Sequence, residues 1–590
     1  MPTSREAARA LSPVIRFSNR CGVRRLGDPL RVISATRLDD VLPVLAEVER
    51  EAAAGRFAAG FVSYEAAPAF DAALAVHAAG GVPLAWFAIY ADSGTLDDSR
   101  AVSLLSPALL EWRAGCTERE YGAAVERIRA LIAAGDTYQV NFTFPMHADF
   151  EGDASALFDA LSSAQPTEYG CFIETPDFAV LSVSPELFFR LDGDTILCRP
   201  MKGTAARGLS SADDAERAEA LQASGKERAE NVMIVDMVRN DLGRIAETGS
   251  VLVRSLFDTE RLGTCWQMTS TVEARSSAGI AEIFRALFPS ASVTGAPKVR
   301  TMEIIRELEA RPRGVYCGAI GWVGPCRRAA FSVGIRTLTI DRAAGAATYQ
   351  VGSGITWESA ASAEFDECRL KAAVLMQRRP EFELLESLLW DGEYWLMEGH
   401  FDRLRASAEY FGFAMKEGEI RAALEAFART LDAPTKVRLR LSRFGAVHVE
   451  GAPLSGAPCW RVAVSPEPID DSDVYLYHKT TQRSVYDRAS ALCPGADDVI
   501  LWNRSRQLTE STRANLALRF GGQWYTPPVS CGLLGGVHRA QLLRDGALFE
   551  RVMTLDDLEA AQELRLINSV RGWISIEQMG RPAILRGQAR

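Results

Sequence analysis

The segment AEFDECRLKA sets Glu364 and Glu367 three residues apart, with Lys371 four further on. At helical pitch these positions share a face, so two carboxylates are brought together that repel unless a cation lies between them. Magnesium suits such a pair, because it takes oxygen ligands and completes its shell with waters and an anionic substrate. A second acidic run, ENVMIVDMVRNDLGR, carries Glu230 where polar residues interrupt the apolar stripe of a helix, so some of them face a site. Lys202 lies in RPMKGT, a loop by its sequence, where a lysine is ordinarily surface charge. Two glycine-rich stretches, SVTGAPK from Ser292 to Lys298 and VGSGI from Val351 to Ile355, offer backbone N–H groups and little bulk to a carboxylate. Arg336, in GIRT, offers a bidentate carboxylate partner.

A second set lies downstream. Lys479 in HKTT, Glu510 in LTE, Arg403 in GHFDRLRAS and the turn LLGGVHR supply an amine, a carboxylate, a cation and a glycine-rich helix start. Pyridoxal phosphate needs those parts: a lysine for its aldehyde, an acid facing its ring nitrogen, and cations or amides for its phosphate.

The elements that must position these residues are legible in outline. Alternation and glycine punctuation predict strands and short helices up to about residue 105, as in RFAAGFVSYEAAPAF. TEREYGAAVERIRALIAAGDTYQV predicts a helix, strands follow, and a helix is expected from Ala215 to Asn240. Gln377-Arg378-Arg379-Pro380 breaks the helical run ECRLKAAVLM and is the expected domain boundary. FELLESLLWDGEYWLMEGHFDRLRASAEYFGF then predicts strand, turn, strand and helix, with Asp391-Gly392 as the hairpin turn.

At 590 residues several folding units are expected, and 47% apolar with 24% charged residues is a soluble globular composition. A net charge of -10 argues against nucleic acid as the main ligand, which clustered Lys and Arg would have to attract. The cysteines number eleven and the closest two, Cys317 and Cys326, are nine apart, which disfavours a zinc site or a disulfide framework and points to the cytoplasm. Ala72 to Ala91 carries no charge, but His77, Gly80, Gly81 and Pro83 interrupt it, so two short buried strands around a turn are expected there and no membrane span. The first 25 residues hold six arginines and one acid, as organellar transit peptides do.

GDTYQVN, SPELF, RPMKGT, ERAENVMIVDMVRND, SVTGAPKVRTMEII, YCGAIG, GIRT and EFDECRLKA, in this order over roughly residues 110 to 376, resemble the chorismate-utilising enzymes, which include anthranilate, isochorismate, salicylate and aminodeoxychorismate synthases. The resemblance implies that Lys202 attacks C2 of chorismate and that Glu186, in SPELF, is the general acid and base. Anthranilate synthases carry alanine at the lysine position. By the same matching Glu230 and Glu367 are magnesium ligands with Glu364 as a further acid, and Arg336, Tyr316, Gly352, Ser353, Gly354, Thr294 and Lys298 belong to the substrate site. In one departure, Gln267 of WQMTS stands where relatives such as anthranilate synthases have histidine.

GHFDRLRAS, VRLRLS, HKTTQRSVYDRA, LTESTRAN, WYTPPVSCGLLGGVHR and INSVRGW resemble the fold-type IV aminotransferases, which include aminodeoxychorismate lyase. This implies Lys479 as the Schiff-base residue, Glu510 facing the pyridine nitrogen, and Arg403, Val537, His538 and Ser569 around the phosphate. The expected class is α/β (α+β): a chorismate-binding sandwich of large mixed sheets over 1–376, variable to about 105 and catalytic over 110–376, then a pyridoxal-phosphate domain of two subdomains over 380–590. Together the resemblances imply a bifunctional enzyme that makes 4-aminobenzoate and pyruvate from chorismate and ammonia. Because no segment resembles a glutamine amidotransferase, ammonia is free or comes from a separate subunit, and a homodimer through the second domain is the assembly considered. Two alternatives stay open: an anthranilate-type first half, or a C-terminal half that serves only as a docking module.

Overall fold

A computed structural model describes residues 13–19, 22–97, 110–376, 381–454 and 459–578. The chain divides into two compact units, Met1–Arg207 with Arg217–Arg379, and Pro380–Arg590 with the excursion Gly208–Glu216. The expected boundary segment 377–380 and most of the arginine-rich start lie outside the described residues.

The first unit is built on two ten-stranded sheets. Every described pairing in them is antiparallel, where mixed sheets were expected. Antiparallel neighbours need only short connections. Phe57–Val62 shows why its strands read as apolar runs rather than clean alternation. Phe57, Ala59 and Phe61 join a core with Ile173 and Phe178 of the other sheet, while Ala58 and Val62 face helix residues such as Val44 and Phe284. Both faces are buried, so both sets of alternate residues are apolar.

Helices cover the outer faces. Glu118–Ala133 starts at a capping box in which Glu120 N donates to Thr117 Oγ1 at 3.3 Å and Thr117 N donates to Glu120 Oε2 at 2.9 Å, and it buries Tyr121, Val125, Ile128 and Leu131. The helix expected from Ala215 is two helices, Ser211–Ala223 and Gly225–Gly243, because Ser224 leaves helical geometry and caps the second through Glu227 N. Within the uncharged stretch Ala72–Ala91 only Ala85–Tyr90 is a strand. The preceding loop is held by its own contacts, His77 Nε2 bonding to Glu309 O at 2.8 Å. Among the described residues no helix is long and apolar enough to cross a membrane.

A buried ion pair braces this unit. Arg313 donates to Glu309 through Nε at 2.9 Å and Nη2 at 2.6 Å, and to the carbonyls of Val293 and Asn141 at 2.8 and 2.7 Å. Glu309→Gln leaves a buried guanidinium without its counter-charge, a loss of about 3 to 5 kcal/mol. Chemical denaturation should show that drop in unfolding free energy, and a change under about 1 kcal/mol would mean that solvent already screens the pair.

The second unit has two cores. A three-stranded antiparallel sheet, Leu384–Trp390, Thr435–Leu441 and Val447–Pro453, packs on helices Met397–Phe411 and Glu417–Ala428. An eight-stranded sheet carries parallel pairs, Cys459–Val464 with Asp498–Trp502 and with Gly572–Gln578. Asp391-Gly392 does turn the chain, Gly392 having φ +80°, but the return makes a single bridge, Trp390 to Tyr394, instead of the expected second strand.

Candidate active sites

Met201–Ala206 is a strand, not the expected loop. It pairs with Cys265–Arg275 through Met201↔Thr269 and Thr204↔Gln267, so Lys202 and Gly203 together oppose Met268. Two residues facing one make a bulge, which Gly203 permits at φ +96°. The bulge re-aims Lys202 into a cavity whose walls include Glu186, Glu230, Glu364, Glu367, Tyr316, Arg336, Gly352 and Gly354. Local spacing could not have placed Lys202 inside, since the bulge is set by the neighbouring strand.

The two glycines serve the lysine and its neighbour. A Cβ on Gly354 would lie 2.6 Å from Lys202 Nζ and against the Gln139 amide, while the Gly352 carbonyl accepts from Lys371 Nζ at 3.0 Å. Gly354→Ala therefore pushes the ends of two side chains, Gln139 and Lys202, rather than backbone. The expected result is a change in melting temperature of at most a few degrees with turnover lowered about 10²-fold, because small misplacements of a reacting group are costly. Turnover within about threefold of the unaltered protein would show that Lys202 need not sit there.

Electrostatics make the lysine a usable amine. Burial pushes Lys202 below the ordinary lysine range and Lys371 adds to this, against Glu230, Glu367 and Glu186, which raise it. Burial lifts Glu186 to about 7 despite a 2.5 Å hydrogen bond from Ser292 Oγ, and lifts Glu230 to about 7 against the pull of Lys202. Burial pushes Glu367 up as well, but Lys371, 2.8 Å away, and Lys202 outweigh it and hold the carboxylate below its usual range.

Arg336 adopts φ 48° and is buried. Its Nη1 donates to Gln165 Oε1 at 2.6 Å, and among the described residues no carboxylate pairs with it, which leaves its charge for a substrate anion.

Several expected members sit elsewhere. Ser353 alternates to the other face of its strand and bonds Tyr121 Oη at 2.8 Å. Thr294 Oγ1 donates to Ser290 O at 3.0 Å, and Lys298 pairs with Asp241 at 2.9 Å. None of the three lines the cavity. Lys226 and Glu227, which the motif reading passed over, do line it. Lys226 lies four residues before Glu230, a spacing that could have flagged it. Gln139 was missed too: it is buried with both amide atoms unpartnered, and its only signal was its place in GDTYQVN.

Among the described residues no three acidic, histidine or cysteine side chains already converge as a metal cage. Lys226 Nζ stands 3.9 Å from both Glu230 and Glu364. The donor set nonetheless fits magnesium, which needs only a couple of carboxylates when water and an anionic substrate complete its shell. Carboxyls lifted by burial, as Glu230 is, are the kind that a nearby cation returns to their charged form.

In the second unit Lys479 follows the turn Val474–Leu476, and its carbonyl accepts from Leu385 N at 2.9 Å. Burial brings the amine down to about 7, with Arg403 and Arg483 adding to the shift and Glu386 and Glu510 opposing it. Glu510 is itself lifted to about 7 by burial, and it accepts from Tyr486 Oη at 2.7 Å, Asn515 Nδ2 at 3.2 Å and Leu534 N at 3.2 Å. Arg403 is gripped by Glu386 at 2.8 and 2.6 Å. His400 Nδ1 meets the same carboxylate at 2.7 Å, and Arg403, with this ring contact, holds Glu386 far below the usual range against burial. Glu386 and His400 were absent from the sequence-based site.

Val537 and His538 open the helix Val537–Arg544 after the Gly536 cap, so their N–H groups are free of helical partners and suited to an anion. The Ser569 hydroxyl makes a long 3.4 Å bond to Ser387 O. A lowered amine, a buried acid with fixed donors, and a cation with a helix start are the parts pyridoxal phosphate needs, and the residues present fit it.

Each half of the chain resembles known proteins. Residues 105–377 match the family model for chorismate binding enzyme, and residues 382–579 match that for amino-transferase class IV. Aminodeoxychorismate synthase component 1 of Klebsiella aerogenes is 43% identical over 258 residues, 43% of this chain and 57% of that protein. The Bacillus subtilis protein of the same name is 39% identical over 267 residues, 45% of this chain and 56% of its own length. Anthranilate synthase component 1 of Streptomyces coelicolor is 37% identical over 268 residues, 45% of this chain and 52% of that protein. Anthranilate synthase component I from Streptococcus pneumoniae superposes with a TM-score of 0.51 at 25% identity, covering 62% of this chain and 91% of that one.

Proposed function

For a chain that joins a chorismate-binding enzyme domain to a class IV aminotransferase domain, we propose a bifunctional enzyme that aminates chorismate and then releases pyruvate to give 4-aminobenzoate. The observation that carries this reading is a buried lysine with a lowered amine pKa in each domain, Lys202 among carboxylates and Lys479 beside Glu510 and Arg403.

In the first site Arg336 holds a substrate carboxylate, and Lys202 adds to C2 of the ring as the C4–O bond breaks. Glu186, protonated below about pH 7, gives its proton to the departing hydroxyl, which leaves as water. Ammonia then bonds at C4, the C2–N bond to Lys202 breaks, and the surplus proton returns to Glu186. A free lysine near pH 7.5 is only about 0.1% neutral, so the lowering seen here is part of the catalysis. Glu230, Glu364 and Glu367 would hold magnesium, which supplies positive charge for the substrate's carboxylate. Ammonia comes from a separate glutamine amidotransferase subunit, in keeping with the "component 1" in the relatives' names.

In the second site pyridoxal phosphate, when bound, supplies an electron sink for the carbon that bears the amine. Lys479 fixes that cofactor and takes the proton from the same carbon. Glu510 keeps the ring nitrogen protonated, and Arg403 with the amides of Val537 and His538 and the Ser569 hydroxyl holds the phosphate. The enolpyruvyl C–O bond breaks, the enol takes a proton to become pyruvate, and the ring becomes aromatic. The substrate of this step is the product of the first, and one chain carries both domains.

Purified protein given chorismate, magnesium and ammonium should form 4-aminobenzoate and pyruvate when pyridoxal phosphate is present, and an aminated non-aromatic product when it is not. Anthranilate as the product would refute the assignment of the first site.

A further inference from the structure

Two side chains from outside the strand hold the bulge that carries Lys202. A bulge leaves carbonyls off the ladder, and buried ones must find other donors. Gln267 is buried on Cys265–Arg275, faces the cavity, and donates from Nε2 to Gly203 O at 2.8 Å, with Thr204 Oγ1 at 3.3 Å. Asn231, on Gly225–Gly243, donates from Nδ2 to Lys202 O at 3.4 Å, and its Oδ1 accepts from Ser270 Oγ at 2.5 Å. The two amides thus take the two consecutive carbonyls of the bulge. The shorter contact, at Gly203, is the one made from inside the cavity wall.

We propose that Gln267 is a positioning residue for the first reaction, whose side-chain N–H clamps the Gly203 carbonyl and thereby aims Lys202 at the substrate. An amide neither gives nor takes a proton near neutral pH, and this one has its donor committed to the backbone. Its task is geometry, not proton transfer. The reverse amide orientation would set Oε1 against the Gly203 oxygen and repel it, so the hydrogen-bond network itself selects the donor. A histidine at 267 could reach the same carbonyl through its outer ring nitrogen, since that atom lies about as far from the main chain as the glutamine Nε2.

The inference rests on the reading of Lys202 as the nucleophile, and the test separates the two. Gln267→Met keeps the volume and removes the donor, whereas Gln267→His restores an N–H. With chorismate and ammonium, Gln267→Met should lower kcat about 10²-fold while KM for chorismate stays within about threefold, and Gln267→His should recover at least about tenfold of that loss. With ammonia withheld, mass mapping should show the chorismate adduct on Lys202 forming more slowly in Gln267→Met by a similar factor.

A Gln267→Met kcat within about threefold of the unaltered protein overturns the proposal, as does a loss that falls on KM alone or a histidine variant no better than methionine. Calorimetric chorismate binding checks the fold, and a variant that loses binding together with turnover also counts against a positioning role. If the unaltered protein makes no aminated product, the nucleophile reading fails. If it does and Gln267→Met equals it, only the role of Gln267 fails.

Discussion

Lys202→Ala should lose amination by at least about 10³-fold, because removing a covalent nucleophile leaves only what binding and fixed charges supply. Chorismate affinity should change by no more than about threefold, since Arg336, which has no carboxylate partner among the described residues, remains to hold the anion. Product analysis reads the first effect and calorimetry the second. Lys202→Arg should not rescue, because a guanidinium stays protonated and offers no free amine. Amination at an undiminished rate would rule out a covalent role for Lys202. A parallel collapse of binding would make it a substrate anchor instead.

Lys479→Ala should abolish covalent retention of pyridoxal phosphate and lower 4-aminobenzoate formation by more than about 10³-fold, while the aminated intermediate accumulates at the rate of the unaltered protein. The pH dependence gives a second reading of the same amine. Its pKa is lowered from the lysine range to about 7, with burial the largest cause, so the reactive neutral form fills as pH rises through 7 and changes little above it. Attachment of the cofactor to unloaded protein, trapped with borohydride and measured by mass, should therefore rise in rate between about pH 6 and 8 and then level off. A rate still climbing toward pH 10 would show an ordinary exposed lysine.

The same shift bears on stability. Between about 7 and 10.5 the folded state holds fewer protons on Lys479 than the unfolded chain, so this group's contribution favours the fold increasingly as pH rises through that window. Glu186, Glu230 and Glu510, lifted to about 7, act in the opposite sense between their ordinary range and 7, where the folded state holds more protons and stability falls as pH rises.

How much of this was legible in the chain differs residue by residue. The spacing of Glu364, Glu367 and Lys371 was enough to put them on one helix face, and Ala361–Ala372 carries them so, because helical pitch is a local property. Motif order was enough to divide the chain into two chemistries, and the two family matches follow that division. Helical periodicity also located Glu118–Ala133 within TEREYGAAVERIRALIAAGDTYQV, because that period is set by neighbours a turn away.

What local spacing could not decide was burial and facing. Lys202 read as loop and is a bulged strand residue, because the register of Cys265–Arg275 makes the bulge. Ser353 and its two glycine neighbours read as one cradle, yet strand alternation turns the serine to Tyr121 and leaves the glycines at Lys202 and Lys371. Lys298 is taken by Asp241, 57 positions earlier in the chain, and Glu386 grips Arg403 from another element. Amino-acid order alone determined which chemical groups this protein owns and which helices and strands carry them. Only tertiary structure decided which groups lose water together, and since desolvation and opposing charge set a pKa, it alone decided which lysines become amines that can react.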